Sequence, residues 1–361
     1  MSTHTSQAHQ GTLRGSSAPL ASCYDVALLD LDGVVYLGRT AVTGAPQALA
    51  SAREHGMRLA FVTNNAARTP EEVAAQLREL GVPAEPREVI TSSQAAAHYL
   101  AERLPAGARV LVVGAEGLIA ALRERDLVPV FSADDDPAAV VQGYSPDTNW
   151  RMLAEGAVAI QRGVPWVATN IDATLPSARG PLPGNGSLVA ALRHATGASP
   201  VVTGKPEPTM HRETVERSGA RHPLVVGDRL DTDVEGARAV GCPSLLVLTG
   251  VTTSALLLAA PERLRPDYIS ADLGGLLIAH PEPLVDRAGV AHCGAWSASC
   301  DGTTLTLRAT TPSTDRSTTD RLDALRALCA AAWTWSNHAD TVRVEGADAE
   351  ANAELARLSL A

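Results

Sequence analysis

Short, continuous apolar runs alternate along this chain with stretches whose apolar residues fall three and four apart. "VALLDL" (26–31), "RLAFVT" (58–63), "PLVVGD" (223–228) and "PSLLVL" (243–248) are runs of the first kind. Such runs suit strands covered on both faces. Helical stretches follow at 45–55, at 70–80 with Pro70 in the first turn, near 207–218, and at 232–241 ending on Gly241. Strand followed by helix, repeated, predicts a parallel sheet with helices on both faces. A second set lies between these pieces: strands at 109–114, 138–143 and 165–170, with helices at 115–125 and 148–162. The Gly/Pro punctuation "GPLPGNGS" (180–187) then carries the chain back. The tail predicts a hairpin over 294–310 turning at Asp301-Gly302, a helix over 318–332 and a strand near 341–345. The expected fold class is therefore α/β, a doubly wound parallel-sheet core with an inserted α/β cap domain and a small C-terminal α+β unit. Residues 1–22 are a polar, disordered tail, 23–91 and 187–283 the core, 92–186 the cap, and 284–361 the C-terminal unit.

Composition narrows the function. The chain has 361 residues, a length suited to two or three domains. Its net charge is −10 with no basic block, which argues against a nucleic-acid surface or an anionic membrane as partner. There is no 18-residue apolar stretch for a membrane span and no apolar h-region of a signal peptide. The five cysteines form no CxxC pair, and fit idle thiols of a reducing, cytoplasmic setting better than a disulfide or zinc framework. A homodimer is compatible with the composition. One detail stands out. Of the 30 basic residues, Lys205 is the only lysine. A lysine kept where every other cation is arginine suggests a site that needs a compact ammonium rather than a planar fork.

Candidate chemistry gathers at strand ends. Asp30 and Asp32 close the first buried strand two residues apart, so an extended chain would aim both at one crevice. Adjacent carboxylates repel unless a proton or cation separates them, which suggests a hard metal such as Mg2+. Thr63-Asn64-Asn65 ends the next strand, where a hydroxyl and backbone N–H groups could hold phosphate oxygens. Lys205 sits between Gly204 and Pro206, just before a helix. In "VVGDRLDTD", Asp228 ends a strand and Asp231 and Asp233 follow. Thr232 with Glu235 reads as a capping box, which leaves Asp228 as the better metal ligand. A Walker A loop is excluded, since Ser199 stands where its first glycine belongs and Pro206 follows the lysine. Asp134-Asp135-Asp136 beside Pro137 reads as a solvated loop.

Taken in order, DxDG, TNN, GKP and GDxxxTD resemble the haloacid dehalogenase-like hydrolases over residues 24–280, specifically the NagD-type branch with its large α/β cap and its glycerol 3-phosphate phosphatases. The resemblance implies a Rossmann-like core and an Mg2+-dependent phosphatase acting on a small phosphorylated metabolite. It makes Asp30 the nucleophile and Asp32 the general acid and base, whose backbone carbonyl also meets Mg2+. Thr63, Asn64, Asn65 and Lys205 would hold the phosphoryl group, Asp228 would bind the metal, and Asp233 would stand behind it. Substrate choice would fall to the cap loop "TNIDATLPSARGPLPGNG", with Asp172, Thr174, Ser177 and Arg179 reaching substrate hydroxyls and Tyr144 a weaker candidate. Few aromatics in that loop favour glycerol 3-phosphate over nucleotides or pyridoxal phosphate, with phosphoglycolate a further alternative. A phosphate-binding, receiver-like module without turnover is the reading from another class; Asp32 speaks for turnover. The tail could be a truncated acetyltransferase-like unit, but it lacks a Q/R-x-x-G-x-G/A loop, so packing or dimerisation is expected of it. Its His338 and Asp340 read as polar surface. Deleting 284–361 is expected to leave the chemistry intact in any protein that stays folded.

Overall fold

The computed structural model describes residues 12–175, 179–310, 321–334 and 343–361. Its central feature is a six-stranded sheet in the order Tyr268–Ser270, Ser244–Val247, Pro223–Gly227, Val26–Leu29, Arg58–Thr63, Val89–Thr91. All of its pairings are parallel. The apolar runs are continuous because both faces are covered. Ala27 and Leu29 join one buried cluster while Val26 and Leu28 join the cluster on the opposite face. From Val26–Leu29 the chain steps outward to 58–63 and 89–91, then returns on the other side at 223–227. The order of strands therefore reverses at Val26–Leu29. Loops leaving neighbouring strands diverge there and open a crevice at their carboxyl ends. The helix Pro70–Glu79 starts as its sequence suggests. Thr69 Oγ1 accepts from Glu72 N, and the Glu72 carboxylate accepts from Thr69 N at 2.9 Å.

A second parallel sheet of five strands has the order Val201–Val202, Trp166–Ala168, Ala139–Gln142, Arg109–Val113, Val128–Val130. Two of these strands were not legible beforehand. Pro129 interrupts the run at 128–130, and a two-residue strand at 201–202 carries no periodicity. The helix Asn185–Thr196 packs on Trp150–Gln161 of this same unit. The inserted unit thus hydrogen-bonds past the return expected at 187. The C-terminal sheet runs Leu284–Val285, Ala291–Cys293, Trp296–Cys300, Thr304–Ala309, Arg343–Gly346. Gly302, at φ +98°, supplies the left-handed residue of the expected turn. The helix Asp323–Thr334 covers this sheet, and a further helix, Ala349–Arg357, closes the chain. His338 and Asp340 lie outside the described residues.

The expected disordered tail needs correction over residues 12–22. Leu13 is buried against the C-terminal unit, and Leu20 is buried in the main core. Arg14 N donates to Asp267 O and Ser16 N to His280 O, each at 2.8 Å. Isolated leucines in a polar run give no periodic signal, so this arm could not be read from its pattern. The C-terminal unit is likewise no appendage. Leu230, Val234, Leu246 and Ile269 of the hydrolase core share one apolar cluster with Leu325, Leu328 and Trp333. Arg326, fully buried, donates from Nη2 to Ile269 O at 2.8 Å and lies 3.3 Å from His280 Nδ1. Among the described residues, no cysteine is paired in a disulfide. Among the described residues, no helix is long and apolar enough to cross a membrane.

Candidate active site

The crevice at the strand reversal gathers the motifs. Asp30 follows the central strand, Asp228 follows one neighbouring strand, and Thr63 ends the other. Asp30, Asp228 and Asp233 present carboxylate oxygens that all lie within 4.8 Å of one another. Lys205 reaches in from the segment before the helix Pro208–Ser218, and its Nζ donates to Asp30 Oδ1 at 2.5 Å and Asp233 Oδ1 at 2.7 Å. The lysine is 3% exposed. Two carboxylates outweigh the cost of burying its ammonium and push its pKa up, so it stays charged. Burial raises Asp30 well above the usual carboxylate range; Lys205 pulls it down, and Asp233 and Asp228 push it further up. Burial also pushes Asp228 up to about 7, with Asp233 adding to the effect.

These carboxylates differ in what they have left to offer. Asp233 has both oxygens engaged, Oδ1 by Lys205 and Oδ2 by Arg229 N at 3.2 Å. Asp228 accepts from Val251 N at 2.7 Å through Oδ2, while its buried Oδ1 has no hydrogen-bond partner among the described residues. Asp228 is wedged in place by two glycines. A Cβ on Gly250 would stand 1.9 Å from Asp228 Oδ2, and one on Gly33 would stand 2.5 Å away. Three carboxylates against one ammonium leave this buried cluster with a charge of −2 when ionised. An orphaned anionic oxygen in such a cluster fits a small, hard divalent cation held by oxygen ligands. Asp30 and Asp228 would hold it, with Asp233 retained behind Lys205.

Asp32 stands apart from this cluster. The strand ends at Leu29, and the chain turns at Gly33, whose N–H donates to Tyr36 O at 2.8 Å. The Asp32 side chain looks into an adjoining cleft of about 630 Å3, lined also by Tyr36, Arg39, Asn65 and Arg68. The low-dielectric surroundings raise its pKa, against the pull of Arg68 and Lys205. It can therefore hold a proton more readily than an ordinary aspartate and release it to a neighbouring oxygen. Arg68, which the sequence reading passed over, is fixed there by the Tyr36 hydroxyl at 3.2 Å and by Gln76 Oε1.

The TNN motif divides its duties. Thr63 is buried, and its Oγ1 accepts from Asn65 N at 3.1 Å. Asn65 spends its side-chain oxygen on Ala67 N at 2.9 Å. Asn64 commits its side chain to partners within the protein. Its Oδ1 accepts from Lys205 N at 2.9 Å, and its Nδ2 donates to Lys205 O and to Asp172 Oδ2, both at 3.1 Å. Asp172 is the cap-loop residue brought to the site's edge; burial raises its pKa and the Asn64 bond lowers it. Arg179 and Thr174 are exposed on the antiparallel Thr174–Leu175/Leu182–Pro183 hairpin or its turn, and Tyr144 is half-buried in the loop after Ala139–Gln142. Ser177 lies outside the described residues.

A profile described as haloacid dehalogenase-like hydrolase matches residues 27–128, and a HAD-hydrolase-like profile matches 202–276. The D-glycerol 3-phosphate phosphatase of Mycobacterium tuberculosis is 46% identical over 345 residues, covering 94% of this chain and 96% of that protein. The chain belongs to the haloacid dehalogenase-like hydrolase family. An acid sugar phosphatase of Staphylococcus aureus is 38% identical over 232 residues, 64% of this chain and 88% of its own. Among solved structures, the glycerol phosphate phosphatase of M. tuberculosis in complex with magnesium superposes with a TM-score of 0.85 at 45% identity, covering 95% of this chain and all of that one. A profile for a GCN5-related N-acetyltransferase-like domain matches residues 293–360. This hydrolase therefore carries its extra unit in common with a relative that matches it nearly end to end.

Proposed function

We propose that this hydrolase is an Mg2+-dependent phosphatase acting on a small phosphorylated metabolite, with D-glycerol 3-phosphate the favoured substrate. The observation that carries the reading is the orphaned Asp228 Oδ1 beside Asp30, in a carboxylate cluster that Lys205 only partly neutralises. The 46% identity to a D-glycerol 3-phosphate phosphatase supports the substrate. Bound Mg2+ supplies positive charge to the phosphoryl oxygens and offsets the carboxylates.

The roles proposed are those that the family resemblance implies, and the positions of these residues support them. The Asp30 carboxylate attacks phosphorus, and the bond to the leaving alkoxide breaks in line. Asp32, poised to hold a proton at the mouth of the site, donates it to that alkoxide. Asp32 then takes a proton from water as the water attacks the aspartyl-phosphate, which releases phosphate and restores Asp30. Lys205 and Thr63 hold phosphoryl oxygens through both steps. Asp233 keeps the ammonium in register, and Asp172 and Arg179 of the cap loop reach the substrate's hydroxyls. A group positioned to recycle the intermediate favours turnover over a receiver-like module. A cytoplasmic homodimer belongs to the same reading, and sedimentation velocity tests its dimeric part.

The test is phosphate release with Mg2+ from glycerol 3-phosphate, phosphoglycolate, a nucleoside monophosphate and pyridoxal phosphate. The highest kcat/KM on glycerol 3-phosphate is expected. A preference for another member would overturn the substrate, and no release from any would overturn the phosphatase.

A further inference from the structure

The cap loop and the catalytic lysine are joined by one side chain. An asparagine amide has one oxygen acceptor and two N–H donors, and Asn64 commits all of them. Its Oδ1 takes the Lys205 N–H, one N–H goes to Lys205 O, and the other goes to Asp172 Oδ2. Asn64 thus pairs with the Lys205 backbone on both its donor and its acceptor, and Asp172 fixes which way the amide faces. Turned over, the amide would set its oxygen against Lys205 O and the Asp172 carboxylate and its N–H groups against the Lys205 N–H, losing every bond. Gly204 has no room for a side chain because of this arrangement. A Cβ there would stand 2.6 Å from Asn64 Oδ1 and 2.2 Å from Thr169 O.

Asp172 is itself held from behind. Its N–H donates to Asn170 Oδ1 at 3.1 Å, Asn170 Nδ2 donates to Asn64 O at 2.8 Å, and Asn185 Nδ2 donates to Asn170 O at 2.8 Å. Asn170 and Asn185 are both buried. The "GNG" at 184–186, legible in the sequence only as punctuation, is shaped to this loop. A Cβ on Gly184 would come within 2.3 Å of Asp172 O, and one on Gly186 within 2.1 Å of Ile171 O. The chain of bonds runs from the start of the helix Asn185–Thr196, through loop 170–172 and Asn64, to the backbone that aims Lys205 at Asp30.

We propose that Asn64 is a positioning residue, through which Asp172 of the cap loop sets the placement of the Lys205 ammonium. This deepens the phosphatase reading and rests on it for its kinetic consequence. Seating of the cap loop and readiness of the phosphate clamp become one event. Asp172 then acts on the transferring phosphoryl group even when the leaving group offers it nothing to bind.

The experiment compares Asp172→Ala, Asp172→Asn, Asn64→Ala and the Asp172→Ala/Asn64→Ala double variant in the full chain. The first readout needs no turnover. Hydrogen–deuterium exchange of the peptide spanning 203–207 reports the Lys205 N–H, and Asp172→Ala and Asn64→Ala should speed it about tenfold or more. Asp172→Asn keeps an oxygen that accepts from Asn64 Nδ2, so it should retain protection. The second readout is hydrolysis of p-nitrophenyl phosphate, whose leaving group has no hydroxyl for Asp172. There Asp172→Ala should lower kcat about tenfold with KM nearly unchanged, and the double variant should be no worse than Asn64→Ala. Unchanged exchange in Asp172→Ala, with a loss confined to glycerol 3-phosphate, would overturn the coupling and leave Asp172 a substrate contact. Should the wild type hydrolyse neither compound, the phosphatase reading fails while exchange still decides the coupling.

Discussion

Replacing Lys205 by methionine isolates what the ammonium does. The lysine is 3% exposed and lies 2.5 Å from Asp30 Oδ1 and 2.7 Å from Asp233 Oδ1, in side chains that are 12% and 2% exposed. Methionine keeps the stem's apolar packing and deletes the charge, so Asp30, Asp228 and Asp233 face one another uncompensated within 4.8 Å. At an effective dielectric near 20, each carboxylate pair at that separation repels by about 3.5 kcal/mol. Part of that is relieved by proton uptake. Breaking a buried ion pair from one side costs about 3–5 kcal/mol. At roughly 2–4 °C per kcal/mol, the metal-free protein should melt about 6–20 °C lower. Scanning calorimetry in EDTA measures this, and a repeat with Mg2+ should return more to the variant than to the wild type, because the variant's cluster carries one more negative charge. Lys205→Arg keeps the charge and should lose less stability. Its wider, forked head should still abolish most activity, which is the physical content of a lone lysine among arginines. A Lys205→Met protein melting within about 1 °C of the wild type in EDTA would refute the reasoning, because no buried pair of that strength could then exist.

Other expectations concern the metal and the covering units. Asp228 holds its proton up to about 7 when folded, against an ordinary value of 3.8, so the folded state binds protons more readily than the unfolded one. Its contribution is therefore complete below pH 4 and is lost as pH rises through 7; in EDTA, this site should favour the fold less at pH 8 than at pH 5. The Mg2+-induced rise in melting temperature should grow over the same interval, and a gain independent of pH would contradict the assignment. Gly250→Ala drives a methyl into Asp228, and calorimetric titration should show Mg2+ binding weakened about 10- to 100-fold, in a protein whose melting temperature confirms that it is folded. Deleting 284–361 uncovers Leu246 and Ile269 and removes Arg326 from the Ile269 carbonyl. The truncated chain should be markedly less soluble and lower melting, and a fully stable truncation would show that the shared cluster contributes little.

What was legible in the sequence, and what was not, has a physical basis. Asp30, Thr63 and Asp228 were readable because each ends a strand whose continuous apolar run marks burial on both faces. Lys205 was readable because its composition is anomalous. The division of labour among the carboxylates was not, because it depends on which oxygens are already engaged. Asp233 differs from Asp228 through Arg229 N, four residues before it, and through Lys205, 28 positions away, and the motif's spacing does not say which carboxylate takes either bond. Asn64 is expected beside Thr63 at the phosphoryl group, but its side-chain bonds to residues 108 and 141 positions away carry no local signal in the sequence. Arg179 is exposed in a short hairpin, and nothing in the spacing of its loop fixes where its side chain reaches. The inner half of the N-terminal arm escaped notice for a related reason, since Leu13 and Leu20 are isolated in a polar run and are buried by residues far off in sequence.

The most direct test of the central claim is phosphate release from D-glycerol 3-phosphate with Mg2+ by the wild type and by Asp30→Asn, each first shown to be folded. Asparagine at 30 preserves size and removes the nucleophilic carboxylate. The account predicts turnover in the wild type and its loss by about four orders of magnitude or more in the variant. Comparable turnover in both proteins would contradict it.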